Sequence, residues 1–255
     1  MSRITGAVLA VVLGAAALLV APAGSGLATT TATEAATAAR SRPMTHPFAR
    51  EAVHFGERDR SPYDIEHVRE LQLRLQREHL FAFTPNGRYG TRTRAAVAQF
   101  QRQHGLNASG SATRATWRAL LKGSNLNLRT AHRRCAGAGW HVCYDRRNHQ
   151  LTLWHHGRFW NTWLVRGGKA SNVTRTGDFT VFRRYRHHRS SLFGSAMPYS
   201  QFFSGGEALH GSRLMMDPYK GHSHGCVNMY VEDARQLWSL THDRRLRVHV
   251  YGSWS

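Results

Sequence analysis

The chain of 255 residues has only three cysteines, only 15 acidic side chains against 35 Lys and Arg, and a single apolar run, residues 7–20, broken by Gly14. That run falls short of the roughly 20 residues a helix needs to span a bilayer. With Arg3 before it and small residues after it, through Ala21-Pro22-Ala23 to Gly26-Leu27-Ala28, it reads as an export signal over residues 1–28, cut after Ala28. Contact with a membrane is then expected only if this segment stays uncleaved. No cysteine stands at the cleavage region, which argues against a lipoprotein.

Export decides how the few cysteines are read, because a close pair outside the cytoplasm tends to oxidise. Cys135 and Cys143 enclose seven residues, Gly137 and Gly139 among them, and a disulfide is expected there. Closing so small a loop stabilises a fold by roughly 2 to 3 kcal/mol. A metal site using His132 or His141 is the rival, but the spacing fits no common zinc pattern, and neither metal nor cofactor is expected. Cys226 is left as the free thiol.

The scarcity of acid gives a formal net charge of +20, spread over both halves of the chain. Such a field favours anionic partners. For an exported protein these are anionic wall polymers and lipid headgroups, not nucleic acid. The run Arg183-Arg184-Tyr185-Arg186-His187-His188-Arg189 is either a binding patch or a solvated loop.

Composition and periodicity divide the rest. Residues 29–60 are Ala/Thr-rich at first and end in prolines and scattered charges, which suggests a disordered spacer. Over 61–122, Ile65, Val68, Leu71 and Leu75 recur at helical spacing, Pro85-Asn86-Gly87 marks a turn, and Ala96, Val97 and Phe100 recur again before Gly105. A third helix is expected to carry Trp117, Leu120 and Leu121. Residues 123–134 form a basic linker. Over 135–252 the period becomes two: Val142, Tyr144, Leu151 and Leu153 suggest a hairpin, 159–165 and 176–181 further strands, and Leu246, Val248 and Val250 a last one, after a helix with Val231, Ala234, Leu237 and Trp238 on one face.

The chemistry concentrates at Ser223-His224-Gly225-Cys226-Val227-Asn228, with His210-Gly211 upstream. An ordinary thiol is only a few per cent thiolate at neutral pH, so a nucleophilic cysteine needs an imidazole to take its proton. His210 is the candidate. Gly225 leaves room for backbone N–H groups around Cys226 to face an oxyanion, a contribution of about 3 kcal/mol. A buried cysteine beside a structural histidine would explain such a pair equally well. The complete pattern, however, resembles the catalytic motif of L,D-transpeptidases of the YkuD type, as do Gly167-Gly168-Lys169 and Thr176-Gly177-Asp178-Phe179, with Arg175 where proline is frequent.

Residues 61–122 resemble a small three-helix peptidoglycan-binding domain. The matching positions include Val68, Leu71-Gln72, Leu75, Asn86-Gly87, Tyr89-Gly90, Thr93, Ala96-Val97, Phe100-Gln101, Gly110, Thr113 and Trp117; Asn86 and Ser109 stand where aspartate is usual. The expected architecture is this domain followed by a mainly-β, sandwich-like catalytic domain.

The resemblance implies that Cys226 attacks a peptidoglycan stem peptide, with His210 as proton acceptor and donor and the Gly211 carbonyl orienting its ring. It makes Gly225, His224, Ser223 and Asn228 candidates for oxyanion or substrate binding. Tyr199, in Met197-Pro198-Tyr199, is a candidate for the substrate cleft. The helical domain is expected to concentrate the enzyme on the wall without taking part in the chemistry, so that a chain starting near Arg129 keeps its rate on soluble fragments. Sortases and NlpC/P60 peptidases are set aside, the latter because they place cysteine before histidine. An L,D-carboxypeptidase and a non-catalytic wall-binding protein remain as alternatives.

Overall fold

A computed structural model describes residues 45–124 and 128–254. The expected signal segment and the spacer up to residue 44 lie outside the described residues. The helical part has three helices, α1 (Val68–Arg77), α2 (Thr91–Gln103) and α3 (Arg114–Gly123). Their apolar faces, with Val68, Leu71, Leu75, Val97, Phe100, Trp117 and Leu120, close one core. The first turn of α1 is capped from a distance. The Asp59 carboxylate accepts the N–H groups of Val68 and Arg69 at 2.9 and 2.8 Å, meeting two of the donors a helix start leaves open. Gln72 accepts the N–H groups of Asn86 and Gly87, pinning the expected turn to α1.

The second part has two sheets. Strands β1 (Trp140–Asp145), β2 (Gln150–His155), β3 (Arg158–Leu164), β4 (Gly177–Thr180) and β9 (Leu246–Tyr251) form one, in the order β3-β2-β1-β9-β4. Strands β5 (Arg183–Tyr185), β6 (Ser200–Ser204), β7 (Glu207–Gly211) and β8 (Val227–Met229) form the other, in chain order. β1 and β2 are the expected hairpin, with Val142 opposite Leu153 and Tyr144 opposite Leu151. Residues that alternate inward from both sheets, among them Val142, Leu153, Val248, Leu209 and Val227, make the core with Ala234 and Leu237 of helix α5 (Val231–Thr241). Among the described residues no helix is long and apolar enough to cross a membrane.

Two parts of the chain depart from expectation. Residues 45–60 are packed, not a spacer: Phe48, Ala49 and Val53 are buried, and Val53 exchanges both backbone hydrogen bonds with Ala112. The basic linker also contains a helix, α4 (Leu128–Cys135), laid against β1. Ala131 and Cys135 supply its buried face, and Cys135 is paired with Cys143 of β1. Three or four apolar residues are too few to reveal burial by composition, but a neighbouring surface makes them enough.

A network of buried charge joins the two parts. The Glu70 carboxylate of α1 accepts from Arg50 at 3.1 and 3.2 Å and from Arg74 at 2.8 and 2.6 Å. Arg50 also donates to the Thr162 carbonyl and to Asn161 Oδ1 of β3. His67 meets Asp233 of α5 at 2.9 Å, and the Ile65 N–H donates to Glu232. Burial costs these charges solvation, and their mutual hydrogen bonds offset that cost only while all partners stay in place. The helical part is therefore not a detachable appendage.

Candidate active site

β7 and β8 are parallel neighbours, with Leu209 opposite Val227 and His210 opposite Asn228. Side chains alternate along a strand. Leu209 and Val227 point into the core. His210 and Asn228 therefore face the other way, as do Ala208 and Cys226 one step earlier. Cys226 packs with Ala208, Met197 and Phe202 on that face. His210 and Cys226 are thus diagonal neighbours on one surface, a separation of about 7 to 8 Å between Cα atoms in such a pair.

His210 is buried, and its Nδ1 lies 2.8 Å from the Gly211 carbonyl. A carbonyl oxygen only accepts, so Nδ1 carries the proton and Nε2 keeps its lone pair. Burial lowers the imidazole pKa to about 4; the Gly211 carbonyl opposes this, and the charges of His188 and Arg166 add to it. Burial pushes the Cys226 thiol up, against a backbone hydrogen bond at Ala208, and the Glu207 carboxylate pushes it further. The thiol sits 3.7 Å from the Gly206 carbonyl. At rest the site therefore holds a neutral thiol and a neutral imidazole.

The turn before Cys226 is fixed by Ser223, whose Oγ donates to the Cys226 carbonyl at 2.5 Å and accepts the Gly225 N–H at 3.1 Å. Gly225 has φ +123, a conformation that favours glycine, and a Cβ there would crowd the Glu207 side chain at 3.3 to 3.4 Å. Ser223 is tied in turn to the Gly167-Gly168-Lys169 turn: its N–H donates to the Gly167 carbonyl and its carbonyl accepts from Lys169, each at 2.9 Å. Asn228 bridges its backbone to Arg166 in both directions. Its buried Oδ1 has no partner among the described residues.

Two further candidates have ring partners of their own. His224 is exposed and stacks on Phe193 at 4.2 Å. Tyr199 packs its ring toward Trp238 of α5, 6.1 Å between centroids, and against the core. His222 and His224 face different partners, Trp254 and Phe193. Among the described residues no group of three His, Cys, Asp or Glu side chains could hold a metal.

Glu207 is the neighbour that the motif does not announce. It is buried, accepts the Arg175 N–H at 3.2 and 3.4 Å, and occupies the space a Cβ on Gly225 would enter. An acidic residue three positions before His210, in a chain so poor in acid, was the available signal.

Residues 139–250 match the model of the L,D-transpeptidase catalytic domain family, and residues 65–120 match that of a peptidoglycan binding domain family. No curated protein matches the chain. Among solved structures, the chain is similar to an L,D-transpeptidase (Yku) from Stackebrandtia nassauensis, at 25% identity over 83% of this chain and 98% of that one, with a TM-score of 0.50. It is also similar to an L,D-transpeptidase from Xylanimonas cellulosilytica, at 28% identity over 80% and 98% of the two chains, with a TM-score of 0.46. This chain is an enzyme of the L,D-transpeptidase family, its catalytic domain at residues 139–250 preceded by a peptidoglycan-binding domain at residues 65–120.

Proposed function

We propose that the enzyme is exported to the cell wall, where it forms 3→3 cross-links between peptidoglycan stem peptides through a thioester on Cys226. Cys226 Sγ bonds to the carbonyl carbon of the third residue while its proton passes to His210 Nε2. Because the thiol is raised and the imidazole lowered, a free thiolate and imidazolium are scarce, and proton transfer accompanies attack. The oxyanion of the tetrahedral intermediate is met by backbone N–H groups of the turn, a contribution of about 3 kcal/mol. The Gly225 N–H is already given to Ser223, so this role falls to its neighbours. The imidazolium then protonates the departing amine of the terminal D-alanine. In the second half, the side-chain amine of another stem's diamino acid attacks the thioester and His210 takes its proton. The C–S bond breaks, the sulfur takes that proton from His210, and thiol and cross-link are released.

The observation that carries this reading is the hydrogen bond from His210 Nδ1 to the Gly211 carbonyl, which leaves Nε2 its lone pair on the strand beside Cys226. Two measurements test it. Intact mass after exposure to a carbapenem is expected to show an adduct that Cys226→Ala loses; an adduct on the variant refutes the assignment. Mass spectrometry of products from a disaccharide-tetrapeptide is expected to show the cross-linked dimer. A product that is only the trimmed tripeptide would mean that water replaces the amine and the enzyme is an L,D-carboxypeptidase.

A further inference from the structure

Residues 212–222 run from Gly211, whose carbonyl sets the His210 tautomer, to Ser223, which fixes the turn at Cys226. This stretch has no helix or strand. Its internal bonds are few and local: Leu214 N–H to Ser212 Oγ, Met215 N–H to the Ser212 carbonyl, Tyr219 N–H to Asp217 Oδ1, and Lys220 N–H to the Asp217 carbonyl. Left alone, such a segment would sample many conformations, each moving both catalytic side chains at its ends.

Other elements hold it. From the catalytic domain, Arg166 Nη1 donates to the Lys220 carbonyl at 2.6 Å and the Tyr230 hydroxyl donates to the Met216 carbonyl at 3.3 Å. The outer side is held from the helical domain. Met215 is fully buried between Ile65 and Tyr230. Arg69 Nη1 pairs with Asp217 Oδ2 at 3.2 Å and is itself anchored on the Pro85 carbonyl at 2.5 Å. Arg77 Nη2 donates to the Tyr219 hydroxyl at 2.7 Å and to the Asn148 carbonyl at 3.3 Å. Tyr219 rests edge-on against His149, 5.0 Å away.

Arg69 and Arg77 are two turns apart on one face of α1, and both reach across to the same loop. We infer that Arg69 and Arg77 of the peptidoglycan-binding domain are positioning residues for the acyl-transfer site, holding loop 212–222 so that His210 and Cys226 keep their relative placement. The inference rests on the function proposed above and deepens it. The domain that carries a wall-binding name is then part of the catalytic assembly, and the expectation that it stands outside the chemistry is replaced.

The test compares the full-length protein with Arg69→Ala/Arg77→Ala. Hydrogen exchange of residues 213–221 is expected to quicken while the melting temperature stays within a few degrees. Turnover of a soluble disaccharide-tetrapeptide is expected to fall about tenfold or more, since small misplacements of reacting groups cost up to about a hundredfold. A soluble fragment is the right substrate because loss of wall affinity cannot slow it. A cycle adds a readout that general destabilisation would not move. Tyr219→Phe removes the same hydrogen bond as Arg77→Ala from the other side, so the double variant should lose no more activity than the worse single one. Arg77→Lys, which keeps a donor, should recover part of the rate.

Faster loop exchange with unchanged turnover would overturn the positioning role, and so would unchanged exchange. If the double alanine variant does not fold, Tyr219→Phe and Arg77→Lys carry the comparison. If the wild-type protein yields neither cross-linked nor trimmed product, the proposed function fails. The exchange measurement then still decides whether α1 holds the loop.

Discussion

Glu70→Gln is the sharpest probe of the joint between the two domains. The carboxylate is fully buried and accepts four N–H bonds from Arg50 and Arg74, both of them buried as well. Glutamine keeps the volume but removes the charge, depriving two guanidinium groups of the carboxylate they share and presenting an amide N–H to donors. Breaking a buried pair from one side costs about 3 to 5 kcal/mol. For a folded unit of this size each kcal/mol moves Tm by about 2 to 4 °C, so a loss on the order of 10 °C is expected. Burial alone would raise the Glu70 carboxyl, but Arg50 and Arg74 outweigh it and hold it at about 2, below its ordinary 4.5. A depressed carboxylate stabilises the fold above pH 4.5, and that contribution fades as pH falls toward 2. The Tm gap between wild type and Glu70→Gln should therefore be constant from pH 7 to about 5 and narrow below 4.5. Calorimetry and near-ultraviolet circular dichroism between pH 7 and 3 measure it. Because Arg50 also binds Thr162 and Asn161, one cooperative transition should shift as a whole. A gap under about 2 °C, or a second transition untouched by the substitution, would refute the reasoning.

His67 gives the opposite pH signature. Burial lowers its pKa, but the Asp233 carboxylate and their hydrogen bond raise it more, to about 9 from 6.5. Its contribution is complete below pH 6.5 and lost as pH rises through 9, so His67→Gln should flatten the fall of Tm across that window; an unchanged slope would show that His67 is not its source. At the active site, Glu207→Gln keeps an acceptor for the Arg175 N–H but removes the negative charge beside the turn. Alkylation of Cys226 by iodoacetamide should then shift to lower pH, and an unmoved pH profile would remove Glu207 from the electrostatics of the thiol.

Much of the catalytic face was legible because its information is local. Gly225 is required by the φ of its own turn, and the alternation of Val142, Tyr144, Leu151 and Leu153 belongs to one hairpin. The joint between domains was not legible. Arg50, Glu70, Arg74, His67 and Asp233 are charged or polar, and such residues read as solvent-facing unless their partners are known. Those partners lie as far as 166 positions apart in the chain, as for His67 and Asp233. Asp59 shows the same on a smaller scale, capping α1 from nine residues before Val68. Tyr199 has a partner that the motif does not name, its ring packing toward Trp238 of α5 and against the core.

The neutral thiol of the resting site has a further consequence. Peroxides and disulfides react with thiolates and hardly with thiols, and a cysteine carried to sulfinic acid is lost for good. For the exported enzyme proposed above, no cytoplasmic reducing pool repairs such damage. In the proposed mechanism, burial and the Glu207 charge keep Cys226 protonated until a carbonyl is in place, which slows the first attack on substrate yet shields the thiol from oxidants between turnovers.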